Sequence, residues 1–215
     1  MIAMDEDFRE RLRNALASRS PRRFSQEGAR DASVLIPIVG VGEPTLIFTV
    51  RTDTLPSHKG QIAFPGGSAD PGDASPIETA LRETHEEIGL EPTRVDVLGR
   101  LDSFPTFVSG FVVTPVVGWL DHEPDLVPNP AEVATILHVP VRELSEEIRS
   151  EAGFSHQEKT YPTEAWVWQD NVIWGVTARI VRSFLWSLSQ AGLAEAPPET
   201  TSWTGFPLDD ADVGS

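Results

Sequence analysis

The stretch RETHEEIGL, Arg82 to Leu90, sets three carboxylates within five positions of a 215-residue chain whose formal net charge is already -16. On a helix, Glu83, Glu86 and Glu87 stand at i, i+3 and i+4 and share a face, roughly opposite Ala80, Leu81, Thr84 and Ile88. Like charges so spaced repel, so the face needs solvent or a cation. Hard divalent ions such as Mg²⁺ and Mn²⁺ favour oxygen ligands and fit such a cluster. On charge spacing alone, a solvated helix face is the commoner explanation. His85, between Thr84 and Glu86, reads as a helix-surface residue.

The flanks define the element. Ile77, Ala80, Leu81, Thr84 and Ile88 make one apolar stripe, Ser75 is a suitable N-cap, Pro76 suits the first helical position, and Gly89 suits the C-terminal cap. Residues 53–75 carry many Gly, Pro, Ser and Asp and read as a long loop of the functional kind. Upstream, SVLIPIV (33–39) and TLIFTVR (45–51) form a β-hairpin pattern around a Gly- and Pro-containing turn. Further strands are predicted over 94–102, 110–120, 132–141 and 164–170. Helices are predicted over 5–18, over 141–150 and over 171–190.

Composition bounds the function. Seventeen basic residues against 33 acidic ones argue against non-specific nucleic-acid binding, which depends on neutralising phosphates. A small phosphorylated substrate remains compatible, since a divalent metal can recruit it to an acidic protein. There is no cysteine, so thiol chemistry and disulfides are excluded. The segment MIAMDEDFRERLRNALAS is charged and lacks the apolar core of a secretory signal, and no apolar run reaches the length of a membrane span. These features predict a soluble, cytoplasmic protein with no membrane partner.

Around the helix, Gly67, Asp73, Arg82-Glu83, Glu86-Glu87 and Gly89-Leu90 together resemble the box of the Nudix hydrolase family. The second half agrees in order and spacing. In the first half Asp73 replaces Glu and one extra residue separates it from Arg82, while Thr84 stands at an aliphatic position. The preceding LIFTVRTDTLPSHKGQIAFPGG (46–67) resembles the signature of the coenzyme A pyrophosphatase branch. Thr49, Arg51, Gly60, Phe64, Pro65, Gly66 and Gly67 fall in register, and Pro56 stands where that signature has Arg. The similarity extends over about residues 30–190.

The resemblance implies an α/β fold, an α/β/α sandwich with a mixed central β-sheet. It divides the chain into an N-terminal helix and connector (1–30), a hydrolase domain (31–190) and an acidic tail (191–215), the last expected to be mobile from its composition. It implies hydrolysis of the diphosphate of CoA or acyl-CoA, giving 3',5'-ADP and 4'-phosphopantetheine or its acyl form. Mg²⁺ or Mn²⁺ would be held by Glu83, Glu86 and Glu87 with a backbone carbonyl at Gly67, and Arg82 would brace them. Candidate bases are Glu86, Glu87 and Glu132. Arg51, His58 and Lys59 are assigned to substrate phosphates, with Gly66 and Gly67 approaching the substrate through their backbone.

Two rivals stand beside this reading. Another nucleoside-diphosphate-X hydrolase, acting for instance on ADP-ribose, is disfavoured by the 46–67 signature. A non-catalytic nucleotide sensor of the same fold is disfavoured because all three helix glutamates are kept. Trp166, Trp168 and Trp174 are expected to pack rather than to stack on adenine. Phe184, Leu185 and Trp186 offer an apolar patch for a possible homodimer.

Overall fold

Strand β1 (Arg30–Val39) is apolar on both sides. Ala32, Ile36 and Ile38 enter one core and Leu35 and Val39 the other, the two-residue period of a strand covered on both faces. The computed structural model describes residues 2–25, 27–52, 60–106, 110–144, 149–156 and 159–197. Among these the strands form an eight-stranded mixed sheet and a three-stranded antiparallel sheet.

In the large sheet, β7 (Phe111–Leu120) runs parallel to β1 in unbroken register from Arg30 opposite Phe111 to Val39 opposite Leu120. Strands β5 (Asp96–Arg100) and β6 (Phe104–Pro105) pair antiparallel with β7. The other edge of β1 is divided. Its end at Ile38 and Val39 pairs with β2 (Thr45–Arg51), while Ala32, Ser33 and Val34 pair with β4 (Gly66–Ser68). Between these, β2 swings away and pairs with β3 (Ile62–Ala63) and β8 (Val133–Pro140). The sheet therefore forks beside Val34, and the glycine pair lies in the fork.

Helix α2 (Pro76–Ile88) packs on one face, against β1, β4, β7 and β8. Helices α1 (Ile2–Ala17) and α3 (Gly175–Gln190) pack together on the other face. This is the expected α/β/α sandwich with a mixed sheet. The first core joins Leu12, Phe48, Trp119 and Phe184, the second Leu35, Ile47, Ala80 and Ile88. Burying each such side chain contributes roughly 1.5–3 kcal/mol. Phe184 and Leu185 are used inside this core, and of the three residues offered for a dimer only Trp186 is exposed. Among the described residues no helix is long and apolar enough to cross a membrane.

The small sheet corrects the reading of the C-terminal half. Strands β9 (Arg149–His156), β10 (Lys159–Trp168) and β11 (Asn171–Trp174) form a meander. Residues 171–174, expected to open the long helix, instead return along β10 with Val172 opposite Val167. The helix begins only at Gly175, φ +67°. A helical turn at 141–144 starts the short helix expected over 141–150, but Arg149 and Ser150 already belong to β9. The stretch read as a loop over 53–75 contributes β3 and β4, and its residues 53–59 lie outside the described residues.

Candidate active site

The ends of α2 are built by the residues that predict them. Ser75 Oγ accepts the amide of Glu78 at 3.3 Å, and Glu78 Oε2 accepts that of Ala74 at 2.7 Å, which satisfies two amides at the helix start. Gly89 terminates it at φ +70°, its amide donating to His85 O at 2.9 Å, the left-handed cap that glycine adopts without strain. Thr84, at an aliphatic position of the box, is fully buried and donates its hydroxyl to Ala80 O at 2.6 Å. The intrahelical bond satisfies its one polar group.

The three glutamates do not share one environment. Glu86 is 56% exposed, Glu83 18% and Glu87 only 5%. Glu87 thus lies at the edge of the buried stripe, beside Thr84 and Ile88, rather than on an open carboxylate face. Its Oε2 accepts the Gly66 amide at 3.0 Å, and its Oε1 lies 4.0 Å from Arg51 Nη1. Burial raises its pKa to about 7, against the pull of the Gly66 amide and of Arg51, and the charges of Glu132 and Glu83 push the same way as burial. Glu83 is likewise raised, first by burial, with Glu86 and Glu132 adding repulsion. Desolvation and like charge both disfavour the ionised form.

Arg82 ties the approach loop to the helix. Its Nε and Nη2 donate to the two oxygens of Asp73 at 3.0 and 2.9 Å, and Nη2 also reaches Ser68 O at 3.0 Å. Nη1 donates to Glu83 Oε1 at 2.9 Å and to Glu86 Oε2 at 3.3 Å. Asp73 further accepts the Asp70 amide and the Thr79 hydroxyl, both at 2.9 Å. The Arg82 hydrogen bonds, then the backbone bond, hold the Asp73 carboxyl well below the usual carboxylate range. The extra residue and shorter side chain at Asp73 therefore still give a bidentate pair, the strong geometry for guanidinium and carboxylate.

Gly67 lies against Glu83, since a Cβ there would overlap the Glu83 carboxylate. At Gly66 (φ +150°) a Cβ would run into Ser33 O and the Val34 backbone. Glu132 arrives on a loop that caps the C-terminus of α2. The amides of Val127 and Asn129 donate to Ile88 O at 2.9 Å and Glu87 O at 2.8 Å. Asn129 O then accepts the amides of Glu132 and Val133, and Thr52 donates its amide to Glu132 O at 3.0 Å. The capping role of Asn129 was not visible in sequence. Its Asn-Pro dipeptide is a turn signal, but nothing in it names the carbonyls that the turn covers.

The structure thus brings together Arg51, Gly66, Gly67, Arg82, Glu83, Glu86, Glu87 and Glu132. His58 and Lys59 lie outside the described residues. His85 turns away, with Nδ1 3.8 Å from Glu91 Oε1. Trp166 is buried and donates to Ala178 O at 2.9 Å, as packing predicts.

Among the described residues no three His, Cys, Asp or Glu side chains stand in a metal-holding arrangement: Arg82 Nη1 sits between Glu83 and Glu86, and Glu87 turns to Gly66. The donor chemistry still fits a hard cation. The donors are carboxylate oxygens, and two of the carboxyls are raised by burial and by neighbouring negative charge, an imbalance that a divalent ion relieves.

Residues 29–153 match the NUDIX domain, and the chain belongs to the Nudix family. It is a hydrolase of that class, a class that generally uses divalent ions such as Mg²⁺ or Mn²⁺. Among its relatives is a protein of Photorhabdus laumondii named uncharacterized Nudix hydrolase NudL. The two are 44% identical over 162 residues, 75% of this chain and 86% of that protein. The Yersinia pestis protein of the same name is 43% identical over 154 residues, 71% of this chain and 77% of its own. Of solved structures, a MutT/nudix family protein from Enterococcus faecalis superposes with a TM-score of 0.52 at 14% identity, over 87% of this chain and 74% of that one. That likeness is one of fold.

Proposed function

We propose that this chain hydrolyses the diphosphate of coenzyme A or an acyl-CoA, giving 3',5'-ADP and 4'-phosphopantetheine or its acyl form. The observation that carries this reading is the position of Arg51. The arginine of the 46–67 signature stands beside Glu87, the glutamate that the glycine pair of the same signature holds through the Gly66 amide. Its side chain is 31% exposed, so the open part of the guanidinium can meet a phosphate oxygen next to the carboxylates.

Glu83, Glu86, Glu87 and the backbone of Gly67 would hold Mg²⁺ or Mn²⁺. When bound, the ion neutralises diphosphate oxygens and lowers the pKa of water. The chain's own groups do the rest. Arg82 fixes Glu83 and Glu86 relative to the loop, the Gly66 amide aims Glu87, and Arg51 steadies the phosphate. The water oxygen bonds to one phosphorus as the bridging P–O bond breaks, and its proton passes to a carboxylate. Glu132, whose charge is felt by both Glu83 and Glu87, is the base we favour over Glu86 and Glu87.

The test is hydrolysis of CoA against ADP-ribose, each with and without Mg²⁺ or Mn²⁺, with the products identified. CoA should release 3',5'-ADP only with metal. Glu83→Gln, Glu86→Gln and Glu87→Gln should each lower turnover by roughly 100-fold or more with unfolding still cooperative. Brisk ADP-ribose cleavage with no 3',5'-ADP from CoA would overturn the substrate assignment, and wild-type rates in all three variants would overturn the metal site.

A further inference from the structure

A cleft of about 710 Å³ lies between the 19–24 connector, β6 and α3. It shares no lining residue with the carboxylate site. Arg19, Arg22, Arg23, Arg179 and Arg182 all line it, five of the 17 basic residues in a chain of net charge -16. Among the described residues the one carboxylate in the lining is Asp102, which pairs with Arg19 at 3.6 Å and Arg22 at 3.2 Å. Arg23 reaches outside the cleft to Asp31 at 2.9 Å. Arg179 donates to Pro105 O at 3.0 Å and lies 5.1 Å over the Phe104 ring, and Arg182 lies 5.5 Å over Trp166. Cations concentrated in a concavity repel one another, and an anion entering it relieves that repulsion.

A second observation is independent of charge. The exposed large apolar side chains among the described residues are Phe24, Val41, Val127 and Trp186, and the two aromatic ones both line this cleft. Phe24 is 44% exposed and Trp186 50%. An exposed tryptophan among arginines is a surface on which a planar base stacks, while the guanidiniums meet phosphate oxygens. The volume falls within the range of about 300–1,000 Å³ usual for small-molecule sites.

We infer that this cleft is a second site, which binds a nucleoside phosphate through its base and its phosphates together. The inference does not rest on the CoA reading, since none of these residues belongs to the hydrolytic machinery. The probes are ADP and inorganic pyrophosphate, titrated calorimetrically into the full chain carrying Glu83→Gln, in EDTA. ADP should bind, and Arg22→Gln with Arg23→Gln should weaken it by about 10-fold or more, more so at low salt. Those two side chains are 88% and 77% exposed, so the double variant is expected to fold. Trp186→Ala should weaken ADP by about 5-fold or more and leave pyrophosphate within about 2-fold. No ADP binding at millimolar concentration, or binding that both variants leave unchanged, overturns the site. If pyrophosphate binds as tightly as ADP and Trp186→Ala alters neither, the cleft is a general anion patch and the nucleotide assignment fails.

Discussion

At the scale of single residues, Gly66 and Gly67 are adjacent and yet needed for different reasons. A Cβ at Gly66 meets fixed backbone at Ser33 and Val34 and sits at φ +150°, so neither neighbour can yield. A Cβ at Gly67 meets only the end of the Glu83 side chain, which can move. Gly66→Ala should therefore destabilise the fold by at least about 2 kcal/mol in denaturant unfolding. Gly67→Ala should unfold within about 1 kcal/mol of wild type while displacing Glu83, and so lose at least about 10-fold in metal-dependent turnover. Equal effects of both substitutions on stability would refute the distinction. Asp73 gives a pH test. Its folded pKa is depressed, so its contribution is fully present above the unfolded value of about 3.9 and is lost as pH falls through the folded value. Thermal unfolding of wild type should fall more steeply below about pH 4 than that of Asp73→Asn, which starts lower at neutral pH. Parallel acid limbs would show that Asp73 contributes nothing to stability.

At the scale of elements, α2 was legible because its signals are local. Ser75, Pro76, Glu78 and Gly89 are caps and breakers that act within one turn of the helix they bound. The β10–β11 hairpin was not. Its turn uses Gln169 at φ +53°, the single non-glycine residue at positive φ among the described residues, and Trp168-Gln169-Asp170-Asn171 carries no glycine to announce it. Val172 and Ile173 suit a helix stripe as readily as a strand, and only pairing with Val167 and Trp166 decides between them. Gln169→Gly removes a left-handed penalty of about 1–2 kcal/mol but adds unfolded-state freedom. It should raise stability by roughly 0.5–1 kcal/mol, read as a higher denaturant midpoint at unchanged slope. A lower midpoint would mean that the Gln169 side chain does more in the turn than tolerate it.

At the scale of the whole molecule, the helical period of RETHEEIGL identified the acidic face but not how far each carboxylate lies from solvent. Glu87 is buried because the glycine pair in the fork of the sheet brings an amide to it, and that fork depends on where β2 leaves β1. Glu132 is at the site because its loop covers the last carbonyls of α2. Both are long-range facts to which residue types along the chain are blind. The fold class was legible by contrast through the resemblance of the box around α2 and of the 46–67 signature, with which the β-branched runs 33–39 and 45–51 and the locally written caps of the helix agree.

Strand β1 pairs in parallel with β7 from end to end, Arg30 against Phe111 and Val39 against Leu120, and α2 lies in the crossover that joins them. Parallel partners so distant in sequence cannot meet until the intervening chain has closed a large loop, which makes such topologies slow to form. The amide that holds Glu87 is presented by β4, itself laid along β1, so the carboxylate helix takes its working position only when the chain between β1 and β4 has closed as well. During refolding, helical content in α2 can appear early from its own caps, whereas hydrolysis must wait for these long-range pairings to form.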